Sequence, residues 1–314
     1  MSGRTSPSST PTTSRASSRG AVPERGGSAQ RLPRGLVVLA FASAAAVVVL
    51  YLLVVRTYWG QRLDEHSFVG HDFFASRAAQ ADSFLRIVSI GSLLLAAVLV
   101  AAVAVVRRRP RLAIFAAASI GVSVLATEIL KHSLLERPNL VASFIFDNSY
   151  PSGHTTVGMA VAVAAMLVVP RRLLVPTAIG AGLFGSAFGV AVVAAGWHRP
   201  SDAVGAFLVV IAVGAAFAAL SHAFPDPADA DERHGRIPLP RIRVGTTELG
   251  LLALALGGLG LFALAALSYR GIPWTSTSAG FLLSALAIVV CGLAATLTLA
   301  GTMLAAEEPR RPPA

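Results

Sequence analysis

Long, uninterrupted runs of apolar residues dominate the chain from residue 35 onward. Eight such runs reach or approach the length of about 20 residues that a helix needs to cross a bilayer. They cover residues 35–55, 85–106, 112–130, 154–169, 173–197, 203–223, 249–267 and 279–304. The runs are continuous rather than alternating, and in lipid only helices and closed barrels satisfy their own backbone. The pattern therefore predicts an all-α, polytopic transmembrane helix bundle.

The segments between and around these runs divide the chain further. Residues 1–34 are rich in Ser, Thr, Pro, Gly and Arg and lack apolar periodicity, which is typical of a disordered tail. Residues 224–248 are predicted to link the first six spans to the last two at 249–304, and residues 305–314 to form a short tail. The segment 56–86 mixes charged residues with Phe, and fits either a helix lying on the membrane surface or a solvated connector.

Composition agrees with this membrane class. Of the 314 residues, 54% are hydrophobic and 13% are charged, whereas soluble domains carry about 25% charged residues. The mean hydropathy is +0.68. A single cysteine, Cys291, excludes an intramolecular disulfide and a cysteine-rich metal site. The abundance of Ala, Gly and Arg is typical of a GC-rich bacterial genome.

The net charge of +10 is explained by topology. With the N-terminus inside, 18 of the 26 basic residues fall on the cytoplasmic side, four of them in the turn at 107–111. Cytoplasmic loops of membrane proteins carry such an excess. The charge therefore favours a multi-pass plasma-membrane protein with both termini in the cytoplasm, and the bilayer rather than nucleic acid as its partner.

Ionisable residues cluster at three predicted helix ends, all on the predicted outer face. Such residues at membrane depth are costly and generally functional. The clusters are Lys131 with Arg137 and Pro138, then Pro151, Ser152, Gly153 and His154, then His198, Arg199 and Asp202. Lys131 is the single lysine of the chain, beside 25 arginines, so a specific role for its ammonium group is expected.

Two of these clusters suit an anionic ligand. Lys131 offers a compact positive charge and Arg137 a planar guanidinium, both of which bind phosphate. Ser152 and Gly153 precede a helix whose N-terminal amides form an anion-binding site. The same positive charges would repel a metal ion, so neither a metal nor another cofactor is predicted.

The third cluster supplies a reactive group. Asp202 follows His198 by four residues, and within one helical turn its carboxylate orients the imidazole. His154 is a second histidine able to donate or accept a proton. Together with the cations, these residues indicate phosphoryl transfer through a histidine nucleophile.

The three clusters resemble the motifs of the type 2 phosphatidic acid phosphatase superfamily. Its pattern has a Lys followed by Arg-Pro, then Pro-Ser-Gly-His, then Ser-Arg followed by a His and, four residues later, an Asp. Here five residues separate Lys131 from Arg137, where six are common. The resemblance covers about residues 35–223 and implies a six-helix phosphatase-like core, with two additional C-terminal helices.

The resemblance also implies the chemistry. The substrate would be a lipid phosphate or polyprenyl pyrophosphate, and the active site would be extracytoplasmic. His198 would form a phosphohistidine, Asp202 would orient it, and His154 would protonate the leaving oxygen. The phosphate would be held by Lys131, Arg137, Ser152 and Gly153. Hydrolysis and transfer of the phosphate to another acceptor both fit these residues.

The chain departs from the family pattern in its third motif. Ala191 and Val192 stand where the pattern has Ser and Arg, and loss of such a donor costs about 10²–10³ in rate. Arg199 is the candidate replacement, while Glu128 is expected to neutralise or tune Lys131. The alternative function is therefore a weakened or inactive member that binds phospholipid or a protein partner.

Overall fold

The computed structural model describes residues 32–69, 75–143, 147–228 and 277–307. Within these ranges the chain forms nine α-helices and no strand, which confirms the all-α class. The helices are α1 (Arg34–Leu50), α2 (Tyr58–Val69), α3 (Ala75–Leu85), α4 (Ile90–Val106), α5 (Pro110–Ile129), α6 (Gly153–Val168), α7 (Arg171–Ala194), α8 (Pro200–Ala223) and α9 (Thr277–Ala306). Short π-helical turns follow α1 and α5, at Tyr51–Val55 and Leu130–Leu134.

Four predicted segments lie wholly or mostly outside the described residues. They are the tail at 1–34, the linker at 224–248, the seventh span at 249–267 and the C-terminal tail at 305–314. The segment 56–86 forms helices α2 and α3 on the part that is described. This agrees with the helical interpretation of that segment.

The lengths and surfaces of the described helices are those of a membrane protein. Five of them are long and apolar enough to cross a membrane, or six if the bent pair Ala78–Leu85 and Ile90–Val106 is one span. Helix α6 is a shorter apolar helix of 16 residues. Large apolar side chains are exposed on α1 and α4, among them Phe41 and Val98, and such surfaces are suited to contact with lipid.

The second predicted run is interrupted. Leu85 ends α3, and α4 begins at Ile90 after a bend of 61°. The hydroxyl oxygen of Ser89 accepts the amide N–H of Ser92 (3.1 Å), and the hydroxyl oxygen of Ser92 accepts the amide N–H of Ser89 (2.9 Å). This reciprocal capping begins a new helix, a local signal that apolar periodicity does not contain.

Helix α6 forms the centre of the bundle. It packs against α4, α5, α7 and α8, and eleven of its residues are buried. A helix that is apolar on all sides fits such a position. Because Gly153 begins this helix, the Pro-Ser-Gly-His motif lies at one end of the bundle core.

Helix α9, the last predicted span, is packed into the same bundle. It lies along α7 and also contacts α8, α1 and α2. A Cβ atom added to Gly182 of α7 would lie 2.8 Å from the Cα atom of Leu293, and one added to Gly292 would lie 3.0 Å from the carbonyl oxygen of Gly182. Small residues allow helices in a membrane to approach this closely. The last helix therefore supports α7, which leads into the loop that carries His198.

We expect Gly182→Ala to lower the thermal unfolding midpoint of the detergent-solubilised protein, because the added methyl group would collide with the backbone of α9. Overpacking of this kind costs about 1–3 kcal/mol. Gly180→Ala is the matched control, since on the same helix its added Cβ meets no described atom within 4 Å. Equal midpoints for the two variants would contradict the close packing of α9 on α7.

Candidate active site

The three polar clusters predicted from the sequence meet at one end of the bundle. The amide N–H of Ser152 donates a hydrogen bond to the carbonyl oxygen of Asp202 (3.0 Å), which joins the start of α6 to the start of α8. The ring of His154 lies edge-on to that of Trp197, with 5.2 Å between the ring centroids. The Pro-Ser-Gly-His motif therefore adjoins the loop between α7 and α8.

His198 and Asp202 form a buried pair. The Nδ1 atom of His198 is 3.3 Å from Oδ2 of Asp202, and the two residues are 7% and 0% exposed. The amide N–H of Arg199 donates to the same Oδ2 (2.9 Å). Asp202 lies in the first turn of α8, where the helix dipole stabilises a carboxylate. Because Nδ1 of His198 faces Asp202, Nε2 is the ring nitrogen suited to nucleophilic chemistry.

The second histidine and the single lysine lie near this pair. His154, half-buried in the first turn of α6, is within electrostatic range of both His198 and Lys131. Lys131 lies on the π-helical turn after α5. The side-chain nitrogen of Asn148 is 3.0 Å from the carbonyl oxygen of Lys131 and 3.2 Å from that of Tyr150. Asn148 thus ties the turn that carries the lysine to the loop before α6.

The start of α6 is the predicted anion-binding position. Ser152 is fully buried, and its hydroxyl oxygen caps the helix. A Cβ atom added to Gly153 would lie 3.3 Å from Oε1 of Glu128, so this carboxylate borders the helix start. The other oxygen of Glu128 is 3.2 Å from Nε2 of His132. In the described residues Glu128 therefore contacts His132, four positions further along the helix, and not the expected Lys131.

Arg137 lies between two buried carboxylates. Its Nη2 atom is 3.4 Å from Oδ2 of Asp64, and its Nη1 atom is 4.0 Å from Oδ1 of Asp202. Within the described chain, neither that Nη1 nor that Oδ1 has a hydrogen-bond partner. Burial raises the pKa of Asp64, and the guanidinium of Arg137 opposes this rise. Arg137, which was predicted to bind the phosphate, is thus also in contact with the carboxylate of Asp64 on α2.

Arg199 is buried behind the pair. Its Nε atom donates to Glu65 (3.2 Å), its Nη1 atom to the hydroxyl of Ser149 (3.3 Å) and its Nη2 atom to Ser143. The hydroxyl of Ser149 in turn donates to Oδ2 of Asp202 (2.6 Å). The guanidinium therefore supports Asp202 through Ser149. This arrangement favours a positioning role for Arg199 over the direct phosphate contact considered from the sequence.

Val192, at the position of the absent arginine, belongs to the apolar core. Its side chain is fully buried among apolar neighbours, while its carbonyl oxygen accepts the amide N–H of Trp197 (2.9 Å) and of His198 (3.2 Å). Among the candidate phosphate cations, Lys131 is the one that has no ion-pair partner in the described part of the chain. With valine at position 192, the positive charge of the site that no carboxylate compensates therefore lies on Lys131.

Several residues that brace the site were not predicted from the sequence. They are Asp64, Glu65, Asn148 and Ser149. One available signal was the spacing of residues 61, 64, 65 and 68, which share a face of a helix. For Asn148 and Ser149 the signal was their position just before the Pro-Ser-Gly-His motif.

The described fold is an all-α bundle with several helices apolar enough to cross a membrane, and residues of the three motifs meet at one end of it. Residues 93–226, from α4 to just beyond α8, match the family described as PAP2 superfamily. This match supports the resemblance that the three motifs carry. Members of that superfamily are generally phosphatases, so the match and the apolar helices fit a membrane phosphatase. Neither the curated proteins nor the solved structures contain a significant match to the chain.

We expect Val192→Arg to destabilise the fold, because the new guanidinium would enter an apolar core. An unpaired buried charge costs several kcal/mol, and the thermal midpoint should fall by about 5 °C or more. Val192→Met, which is long but uncharged, controls for side-chain volume. A stable Val192→Arg protein with faster phosphate release would contradict this assignment of Val192 to the core.

Proposed function

We propose that this protein is an integral plasma-membrane phosphatase that hydrolyses a lipid phosphate or polyprenyl pyrophosphate through a phosphohistidine. The observation that carries the proposal is the buried pair of His198 and Asp202, 3.3 Å apart, beside the start of α6. The match of residues 93–226 to the PAP2 superfamily supports the reaction class. The excess of basic residues at the opposite helix ends, including the turn at 107–111, supports an active site on the outer face.

The first chemical step forms the covalent intermediate. The Nε2 atom of His198 attacks the phosphorus atom, and the bond from phosphorus to the leaving oxygen breaks. His154 donates a proton to that oxygen, so the lipid leaves as an alcohol, or as a phosphate if the substrate is a pyrophosphate. Asp202 accepts the Nδ1–H of His198 and stabilises the positive charge that develops on the imidazole.

The second step restores the enzyme. A water molecule attacks the phosphorus atom while His154, now neutral, accepts a proton from it. The bond between phosphorus and Nε2 of His198 breaks, and inorganic phosphate leaves. The same residues serve both steps, so no metal or cofactor is required by this mechanism.

The phosphate would be held by groups at the end of the bundle. Lys131 has no ion-pair partner in the described part of the chain, the Nη1 atom of Arg137 makes no hydrogen bond there, and Ser152 and Gly153 lie at the N-terminus of α6, where anions bind. The site lies at helix ends whose neighbouring surfaces are apolar. A substrate with a lipid tail therefore fits this position better than a soluble phosphate ester.

We expect His198→Ala to abolish phosphate release from phosphatidic acid, phosphatidylglycerol phosphate or a polyprenyl pyrophosphate, because no other group replaces the nucleophile. The measurement is inorganic phosphate released by purified protein in detergent micelles. His222→Ala is the matched control, since His222 lies on the last turn of α8 and contacts the carbonyl oxygen of Ala218. A wild-type protein that releases phosphate from none of these lipids would overturn the proposal.

Asp202→Asn should lower kcat by about 10²–10⁴ with a smaller change in KM, because the amide holds the wrong tautomer of His198. The variant keeps the shape of the side chain, so the thermal midpoint serves as the control for folding. Full activity in the folded variant would show that Asp202 does not orient the nucleophile.

A non-catalytic phospholipid-binding protein is the second candidate function. The observations that favour it are the valine at position 192 and the pairing of Arg137 and Arg199 with Asp64 and Glu65. Under this alternative the wild type binds anionic vesicles but releases no phosphate, and His198→Ala leaves the binding unchanged.

A further inference from the structure

Helix α2 turns a polar face toward the active site. Gln61, Asp64, Glu65 and Phe68 follow the spacing of one helix face, and each is at most 8% exposed. Trp59 and Arg62, on other sides of the same helix, are exposed. A surface helix ordinarily buries its apolar side, so the burial of three polar side chains here requires partners within the protein.

Asp64 has partners in two of the motif segments. Its Oδ1 atom accepts the amide N–H of Ser201 (3.1 Å), and its Oδ2 atom accepts the hydroxyl of Ser201 and lies 3.4 Å from Nη2 of Arg137. Ser201 directly precedes Asp202 in the first turn of α8. A carboxylate from a distant helix therefore caps α8 and holds one end of the Arg137 guanidinium.

Neighbouring contacts fix α2 in this place. The side-chain nitrogen of Gln61 donates to the carbonyl oxygen of Val55 (2.8 Å) and to that of Pro138, and its side-chain oxygen accepts the amide N–H of Leu140 (3.2 Å). Gln61, three positions before Asp64 on the same helix, thus binds the segment that follows Arg137. The position of Asp64 relative to Arg137 is therefore fixed by two sets of contacts, those of Gln61 with Pro138 and Leu140 and those of Asp64 itself with Ser201.

We propose that Asp64 is a positioning residue, which holds Arg137 away from Asp202 and directs toward the phosphate the Nη1 atom that makes no hydrogen bond within the described residues. This inference rests on the proposed phosphatase site. Without the negative charge at position 64, the attraction between Arg137 and Asp202 is unopposed, and the 4.0 Å gap between Nη1 and Oδ1 closes. The guanidinium is then no longer available to bind the phosphate. Asp202, now paired with Arg137, is a weaker acceptor for His198.

The decisive variant is Asp64→Asn. The amide keeps the size of the side chain and an oxygen that accepts the N–H of Ser201, but it removes the charge. A purely structural cap predicts unchanged activity for this variant. Positioning through charge predicts a fall in kcat/KM of about 10–100-fold, with part of the loss restored in Asp64→Glu.

A double-mutant cycle tests whether Asp64 acts through Arg137. We expect Asp64→Asn to have almost no effect in an Arg137→Gln background, because coupled residues are not additive. Asp82→Asn is the matched control: Asp82 is a carboxylate on α3 with an exposed ion pair to Arg86 at 2.7 Å, and its loss should leave kcat/KM unchanged. Additive effects of Asp64→Asn and Arg137→Gln would overturn the proposal.

The same double-mutant cycle can be measured as the affinity for inorganic phosphate, by calorimetry on the purified protein in detergent. This measurement does not require turnover. The expected result is weaker phosphate binding in Asp64→Asn but not in Asp82→Asn. Weaker binding together with a wild type that releases no phosphate would keep the positioning role and reject the phosphatase. Unchanged or tighter binding in Asp64→Asn, or no phosphate binding by the wild type, would reject the positioning role.

Discussion

A carboxylate without access to water has to be surrounded by donors, and Asp202 imposes this requirement on the whole site. Its Oδ2 atom is approached by Nδ1 of His198, the hydroxyl of Ser149 and the amide of Arg199, while Oδ1 faces Arg137. Desolvating a charge costs several kcal/mol unless such partners are present. Each partner comes from a different part of the α7–α8 loop or of the segment between α5 and α6. Compensation of one charge therefore fixes the relative positions of the three motifs.

The parts of this arrangement that follow from local spacing were predictable from the sequence. The apolar runs predicted the spans, and α6 begins at Gly153, one residue before the predicted run. The four-residue spacing predicted that His198 and Asp202 could pair. The break at Ser89 was missed because it depends on two hydroxyl groups and not on hydrophobicity.

The contacts made by α2 were not predictable in the same way. The polar residues of a short surface helix normally face water, so the spacing of residues 61, 64 and 65 places them on one face but does not show that this face is buried. The reason lies 137 residues away, in the amide N–H of Ser201, which is in the first turn of α8 and donates to Asp64. Only the packed structure brings that amide to Asp64.

The substitution at position 192 acquires a different meaning in this electrostatic setting. In the family pattern an arginine there adds to the cations around the phosphate. In this chain Glu65 and Asp64 also compensate the two nearby arginines, so the site is less positive than its motif residues suggest. In the proposed phosphatase, stabilisation of the phosphate would then depend chiefly on Lys131 and on the start of α6. This distribution of charge is consistent with the proposed lipid substrate, whose apolar tail would add to the binding.

Helix α9 lies beyond the part of the chain that matches the family, and it nevertheless reaches the residues that support the site. It packs along α7 and contacts α2, where a Cβ atom added to Gly280 would lie 3.3 Å from the ring of His66. His66 follows Glu65 directly. Helix α9 thus packs against α2, which supplies Asp64 and Glu65, and against α7, which leads to His198. Because Asp64 and Glu65 lie on α2 and contact Arg137 and Arg199, the positions of these two arginines depend on the packing of α9 against α2.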